Sequence, residues 1–331
     1  MASPFPKSSS VPGEGRIVAT LVPDGTSGLE TVSYQYPLKL ISPSRPSETK
    51  SVLVFLLSYG GGLVGGDSVD LSIEVKESAK LSIVTQGHTK IFKSATPDIV
   101  TRQTLRVRVA AGAALCLLPD PVQPFGGSVY EQTQVFKLET GASLCLLDWV
   151  TQGRTARGED WSFVRWAGRN EVWTTTDNAA AGGDRLLVRD AVILDGAQTN
   201  PQLKTLRESM HTMGVMGTLL LRGPLMKSLG EFFLAEFTAL PRLGARDFRN
   251  DEAKRTADER LLAPLEKWRL ARLQMEKQSK ILWSAANVRG CVVVKFGAPA
   301  VEAGRLWIGS MLAHEGSISR DFGDHALMCV R

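Results

Sequence analysis

The sequence predicts a mainly β protein: a β-helix-like stack of strands, followed by a smaller α+β C-terminal part with two or more helices. One observation is a weak repeat, in which ESAKLSIVTQ from Glu77, AGAALCLLPD from Ala111 and TGASLCLLDW from Thr140 resemble one another. The other is an alternating apolar and polar segment before each copy, which is typical of a half-buried strand. Such recurrence indicates stacked units that bury an apolar face against the next unit. Coincidence between generic hairpins is the alternative.

The chain of 331 residues divides into three predicted parts. Residues 1–15, MASPFPKSSSVPGEG, contain no apolar segment and are predicted to be a disordered tail. Residues 16–200 form the predicted β-stack core, and residues 201–331 form the predicted α+β part. A charge-dense helical segment near residues 246–280 lies inside this last part.

Each predicted core strand is a short apolar or alternating segment bounded by turn residues. The turn signal PDGT from Pro23 separates the first two strands. Val52–Leu57 is continuously apolar, as expected for a strand that is buried on both faces. In chain order, the predicted strands before the repeat are Arg16–Val22, Thr31–Ile41, Val52–Leu57 and Val69–Val75.

The C-terminal part is predicted to mix helices with strands. In the charged segment, Asp251 is a candidate N-cap, and Leu261, Leu265 and Trp268 share one helical face. Pro264 is expected to break this helix, and its charged residues are expected to form a solvated face. The final residues, RDFGDHALMCV, are either a last strand or a docked tail. The other predicted elements are helix Gln202–Met213, strand Met216–Leu221, helix Met226–Phe237, the hairpin of Ile281–Ala286 with Cys291–Phe296, and helix Val301–Ala313.

Composition favours a soluble cytoplasmic protein. Hydrophobic residues make up 43% and charged residues 22%, and the net charge of +5 comes from dispersed basic residues, so no nucleic-acid footprint is evident. The four cysteines lie in apolar runs without a CxxC pair, which favours buried thiols in a reducing compartment. No apolar run is long enough to span a membrane, and the first residues lack the apolar segment of a secretory signal.

The motifs of common enzyme classes are absent from the sequence. The glycine-rich stretch from Gly60 to Gly66 has no Lys-Ser or Lys-Thr after it, and a strand pattern follows it, so no nucleotide cofactor is expected. Neither a GxSxG nucleophile elbow nor an HExxH motif occurs. A non-enzymatic protein is therefore predicted, while a β-rich hydrolase whose site assembles in space stays open.

Carboxylates follow several predicted strands, at Asp67, Asp120, Asp148 and Asp190. If the units stack, polar groups at the ends of the repeat copies are expected to line up in space and to bind a divalent cation weakly. An acidic residue at a strand end also commonly supports a turn, which is the structural alternative. The glycines of Gly60–Gly66 are likewise explained by close backbone packing alone.

Several motifs together resemble the UreD (UreH) family of urease accessory proteins. They are GGGLVGGD from Gly60, TQGHTKIFKS from Thr85 and GRTARGED from Gly153, and the resemblance covers most of the chain after about Arg16. RNEVW from Arg169 and RLLVRDAVIL from Arg185 resemble the next two strands of the family. The resemblance implies a β-helix-like stack, and it makes the segment 246–280 a surface insertion, because this segment is longer than in typical members.

The resemblance further implies a non-enzymatic urease maturation factor, a scaffold and nickel conduit that helps to deliver Ni²⁺ to apo-urease. The implied partners are UreF, the GTPase UreG and the urease apoprotein, and the implied cargo is transiently and weakly bound Ni²⁺. The alternative of a different class is a passive adaptor that holds its partners in register without passing metal.

The resemblance also selects candidate metal residues. Asp67 and Asp148 match family positions implicated in nickel passage, and Thr89 occupies a slot where small hydroxyl residues are usual. The resemblance supports Asp190 less well, because this chain has Arg189-Asp190 where members often have Glu-Arg, and His88 departs from the small residue that is usual before Thr89. An imidazole suits nickel, so the predicted metal residues are Asp67, Thr89, Asp148, His88 and Asp190. Arg154 and Glu159 are expected to form an internal ion pair or a partner contact.

Overall fold

The computed structural model describes residues 11–43, 50–175, 183–196, 204–240 and 263–331. Most of its elements are strands: β1 Glu14–Leu21, β2 Ser27–Tyr34, β3 Leu38–Ile41, β4 Val52–Ser58, β5 Gly62–Leu63, β6 Ser68–Val75, β7 Lys80–Val84, β8 Thr89–Ile91, β9 Thr101–Val109, β10 Ala114–Leu117, β11 Val122–Pro124, β12 Val129–Leu138, β13 Ser143–Thr151, β14 Arg165–Thr174, β15 Arg185–Asp195, β16 Val215–Arg222, β17 Leu282–Val288 and β18 Cys291–Ala298. The helices are α1 Leu206–Ser209, α2 Lys227–Thr238, α3 Pro264–Gln278, α4 Val301–Glu315 and α5 Ser317–Asp321.

The sequence repeat corresponds to a ladder of parallel strands. Strand β10 pairs with β7 on one side and with β13 on the other, and Leu115 lies opposite both Leu81 and Leu144. The alternating segments before the copies, β6, β9 and β12, form a second parallel ladder with β14. The chain therefore passes back and forth between two sheets and adds one strand to each, and the predicted stack is confirmed.

The two sheets end in different strands. The first sheet has the order β15-β14-β12-β9-β6-β1-β2, and the second has the order β17-β18-β16-β13-β10-β7-β4-β3. The short strands β5, β8 and β11 pair in parallel beside the second sheet and form a narrow third side of the stack. This narrow side holds the glycine-rich stretch together with His88 and Thr89.

Apolar side chains fill the space between the sheets. Leu81, Leu115 and Leu144 are fully buried there, together with inward residues of the first sheet such as Leu71 and Leu105. A second apolar cluster covers the outer face of the second sheet, and it includes Trp307 and Phe233 of the helices together with Cys145 and Leu147 of β13. All four cysteines are buried free thiols.

The C-terminal part extends the second sheet. Strand β16 pairs antiparallel with β13, β18 pairs with β16, and β17 closes the hairpin. The predicted helix Met226–Phe237, the predicted hairpin and the predicted helix Val301–Ala313 are confirmed as α2, β17–β18 and α4. The final residues are a docked tail of short helical turns, in which Leu327 and Val330 are fully buried.

Three predicted elements differ from the structure. Thr31–Ile41 is two strands, because the chain turns at Tyr36 and Pro37 between β2 and β3. Within the predicted helix Gln202–Met213, the described residues are helical only over Leu206–Ser209, since His211 and Thr212 take positive φ angles. Pro264 begins α3 rather than breaking it, which is a favourable position for proline because no N–H is needed there. Residues 1–10 of the predicted tail and residues 246–262 of the predicted insertion lie outside the described residues.

The charged helix α3 is only partly the solvated face that the sequence predicts: Glu266, Lys267 and Lys277 are exposed, but two other charged residues are buried. Arg272 is 2% exposed and bonds to two buried carboxylates, those of Glu236 on α2 and Glu276 on its own helix. Leu265, which the predicted apolar face includes, is 46% exposed. A buried ion network therefore attaches this helix to the body, together with Trp268, which stacks on His314 and packs against the second apolar cluster. No helix in the described ranges is long and apolar enough to cross a membrane.

Candidate functional site

A group of polar side chains crosses the apolar space between the two sheets, and we call it the polar layer. The first sheet contributes side chains from β12, β14 and β15, and the second contributes side chains from β13 and β16. Its members are Gln132, Gln134, Asp148, Asn170, Asp190 and Thr218. Buried polar groups in such a core need hydrogen-bond partners, and these residues supply them to one another.

Asp148 is the centre of the polar layer. Its carboxylate accepts hydrogen bonds from Gln132 Nε2 at 2.9 Å and from Asn170 Nδ2 at 2.6 Å. Asp148 points inward because it has the same strand parity as Leu144 and Leu146, whose side chains are fully buried. Burial raises the pKa of Asp148 above its ordinary value, and the two amide donors partly oppose this increase.

Asp190 lies beside Asp148 on the opposite sheet. Thr218 Oγ1 donates to Asp190 Oδ2 at 2.9 Å, and Lys295 Nζ lies 2.5 Å from Asp190 Oδ1. The negative charge of Asp190 raises the pKa of Asp148, whereas the positive charge of Lys295 lowers it. Both aspartates line one void of about 10 Å³, which is about the space that a single water molecule requires. The structure thus brings together two of the predicted metal residues.

The raised pKa of Asp148 predicts a pH-dependent effect of Asp148→Asn. A carboxyl whose folded-state pKa is raised contributes stability below its ordinary pKa and loses it as the pH rises. Asparagine does not titrate, so the stability of the variant relative to the wild type is expected to increase from about pH 4 to about pH 7. Denaturant unfolding of both proteins at the two pH values measures this change. A pH-independent difference would contradict it.

Asp67 lies elsewhere and makes the contacts of a turn residue. Its carboxylate accepts a hydrogen bond from the backbone N–H of Val64 at 2.9 Å, and its own N–H donates to the carbonyl of Val64 at 3.0 Å. These bonds close the turn that leads from β5 into β6. Among the described residues, no hydrogen bond or ion pair joins Asp67 to the polar layer.

His88 and Thr89 lie at the narrow third side of the stack, in grooves lined partly by Gly87 and Lys90. Burial lowers the pKa of His88, and the nearby carboxylate of Asp120 partly opposes this change. The predicted metal residues therefore occupy three separate places. Within the described ranges, no group of three or more His, Cys, Asp or Glu side chains could hold a metal ion together.

The expected alignment of the polar groups that end the repeat copies is wrong. Asp120 is buried and bonds to Thr85, to the N–H of Gly87 and to Arg305 of α4. Asp148 instead faces the first sheet. Asp120 follows the aligned leucine of its copy by five residues and Asp148 by four. Asp120 lies after the end of β10, on the segment that leads to β11, whereas Asp148 lies within β13, so strand alternation fixes the direction of Asp148 alone.

The contacts of the glycine-rich stretch and of the Arg154–Glu159 pair support a structural role for both motifs. Gly60 and Gly61 have φ angles of 68° and 74°, and a Cβ atom on Gly62 would lie 2.7 Å from the carbonyl oxygen of Lys90. Arg154 and Glu159 form the expected internal ion pair, in which Arg154 Nε lies 3.0 Å from Glu159 Oε1.

Sequence reasoning missed the neutral members of the polar layer and also missed Lys295. The signal for two of them was present, because Gln132 and Gln134 occupy the inward positions of the strand VYEQTQVFKL, where alternation predicts apolar side chains. Asn170 similarly interrupts the apolar positions of β14. Thr218 and Lys295 had no such signal, since each is an ordinary strand residue when taken alone.

Comparisons with known proteins agree on one family. The family model described as UreD urease accessory protein matches residues 12–323. A Schizosaccharomyces pombe protein described as an uncharacterized urease accessory protein ureD-like is 34% identical over 295 residues, covering 88% of this chain and 89% of the relative. The urease accessory protein UreD of Sorangium cellulosum is 39% identical, covering 67% of this chain and 65% of the relative. The urease accessory protein D of Arabidopsis thaliana is 31% identical, covering 65% and 69%.

Proposed function

Since the chain belongs to the UreD urease accessory protein family, we propose that it passes Ni²⁺ to apo-urease through the polar layer. Its family gives it a role in urease maturation as an accessory protein rather than an enzyme, so the hydrolase alternative is not retained. The proposed Ni²⁺ is cargo, because it leaves with urease.

The observation that carries this proposal is the pair of facing carboxylates, Asp148 and Asp190, inside an otherwise apolar stack. Amide and hydroxyl groups surround them. Oxygen ligands hold a divalent nickel ion less tightly than imidazole or thiolate ligands. A conduit needs this weak binding, because a cation must leave each position as readily as it enters.

The proposed passage is narrow. A void with room for about one water molecule does not admit a hydrated cation. Loading therefore requires that Ni²⁺ exchange water ligands for the oxygens of Asp148, Asp190 and Thr218, or that the two sheets separate locally. Asp67, Thr89 and His88 remain predicted metal residues at separate points.

We propose the partners that the family resemblance implies, namely UreF, UreG and the urease apoprotein. GTP hydrolysis is assigned to UreG because this chain contains no P-loop. The cytosol is the proposed location, since four buried free thiols are typical of a reducing compartment.

The double variant Asp148→Asn/Asp190→Asn tests the conduit. It removes both negative charges and nearly preserves side-chain shape, so we expect it to bind its partners normally but to lower the nickel content and activity of urease by about tenfold or more. The assay combines purified apo-urease, UreF, UreG, GTP and Ni²⁺ with each version of this chain. Co-purification of the partners is measured in parallel.

Asp184→Asn is the matched control, because Asp184 pairs with Lys137 on the outer face of the first sheet. The control is expected to activate urease as the wild type does. If the double variant also activates urease normally, the conduit is wrong. The turn contacts of Asp67 favour the passive adaptor as the second candidate, and an adaptor would tolerate the loss of both carboxylates.

A further inference from the structure

The polar layer extends to solvent between strands β15 and β18. Strand β15 is an edge of the first sheet, and β18 is next to the edge of the second. Exposure increases along this path: the Asp190 side chain is 13% exposed and the Lys295 side chain is 46% exposed. Asp148 lies deeper, between Gln132 and Asn170. Asp190 and Lys295 therefore form the solvent end of the polar layer on this side.

Strand register explains how Lys295 reaches this position. Asp148, Thr218 and Lys295 are direct neighbours across β13, β16 and β18. The three side chains consequently project from the second sheet toward the first. The ammonium group of Lys295 lies 3.4 Å from Thr218 Oγ1 and 2.5 Å from Asp190 Oδ1.

We propose that Lys295 is a built-in counter-cation that occupies the place beside Asp190 where a passing divalent cation would bind. This inference rests on the proposed passage of Ni²⁺ through the polar layer. A cation that enters or leaves on this side has to displace the ammonium group from Asp190. Lys295 thus keeps the binding of metal weak and keeps the solvent end of the layer closed when no cation is present.

Lysine has properties that suit this role. Its ammonium group is a compact charge on a flexible four-carbon stem, whereas arginine would grip a carboxylate with a rigid pair of donors. Nearly half of the Lys295 side chain is already in solvent, so it is able to swing outward without opening the core. Asp190 then becomes available to the incoming cation, and Thr218 supplies a neutral oxygen.

Removing the positive charge of Lys295 tests this inference directly. The probe is Ni²⁺ alone, and its binding to the purified full-length chain is measured by isothermal titration calorimetry. We expect Lys295→Met to bind Ni²⁺ roughly tenfold more tightly than the wild type, because a unit charge that repels the divalent ion at short range is gone. Adding Asp190→Asn to this variant is expected to abolish the gain.

Lys137→Met is the matched control, because Lys137 also forms a 2.5 Å ion pair, with Asp184, at a half-exposed position. It is expected to bind Ni²⁺ as the wild type does. If Lys295→Met is unstable in thermal unfolding, Lys295→Gln, which keeps a polar side chain, replaces it in the titration. Unchanged Ni²⁺ affinity in the folded charge-removing variant would overturn the inference, and so would an equal gain in Lys137→Met.

Metal binding and urease activation separate this inference from the proposed conduit. Tighter binding by Lys295→Met together with normal activation by Asp148→Asn/Asp190→Asn shows that Lys295 weakens Ni²⁺ binding at Asp190 but rejects the conduit, and with it the role of Lys295 in a passage. Unchanged binding by Lys295→Met together with failed activation by the double variant keeps the conduit and rejects the role of Lys295. If both the conduit and the role of Lys295 are correct, Lys295→Met releases Ni²⁺ more slowly and activates urease more slowly than the wild type.

Discussion

The Arg272→Met variant is expected to lose about 3 to 5 kcal/mol of unfolding free energy, because it leaves the buried carboxylate of Glu276 without its cation and removes one of the two cations that bond to Glu236. Arg272 Nη2 donates to Glu236 Oε2 at 3.0 Å, and Nη1 donates to Glu276 Oε1 at 2.6 Å. The side chains of Arg272, Glu236 and Glu276 are 1%, 3% and 9% exposed. Water therefore cannot replace the missing guanidinium group.

Denaturant unfolding measures this loss, and limited proteolysis locates it, since the network attaches α3 to the body of the protein. Arg269→Met is the matched control: Arg269 also bonds to Glu236, but its side chain is 33% exposed, so a smaller loss is expected. Adding Glu236→Gln and Glu276→Gln to Arg272→Met is expected to recover part of the stability. A loss below about 1 kcal/mol for Arg272→Met, the level of a surface pair, would show that the network contributes little.

Leu115→Ala is expected to cost about 2 to 5 kcal/mol, the range for truncating a leucine in a core that closes only partly around the cavity. Leu115 is fully buried and lies between Leu81 and Leu144 in the parallel ladder. Its removal leaves a cavity at the middle of the stack, where strands on both sides restrict the movement that would fill it. If urease activation falls by more than the fraction of Leu115→Ala that is unfolded, the substitution also impairs function directly.

Leu306→Ala is the control for this experiment. Leu306 lies on α4 and is 54% exposed, so its truncation is expected to change stability by about 0.5 kcal/mol or less. Thermal unfolding of the two variants and the wild type in one buffer gives the comparison. Equal losses in Leu115→Ala and Leu306→Ala would contradict the stacked core as the main source of stability.

The candidate site was only partly predictable from the sequence. Asp148 and Asp190 were identified, and the structure brings them together through Asn170 and Thr218. Asp67 was identified on the same grounds, yet its contacts are those of a turn. A carboxylate at the end of a strand has the same local sequence context whether it joins the polar layer or closes a turn. Only contacts with residues far away in the chain distinguish the two cases.

The sequence by itself determined the stack. Recurring apolar runs and period-two alternation are local patterns, and burial of the apolar face aligns Leu81, Leu115 and Leu144 because each copy packs on the next. Only the tertiary structure decided which polar residues meet inside it. Asp148, Asp190 and Lys295 come from three strands that are far apart in the chain. Their contact depends on the register and the spacing of two sheets, which local sequence patterns do not specify.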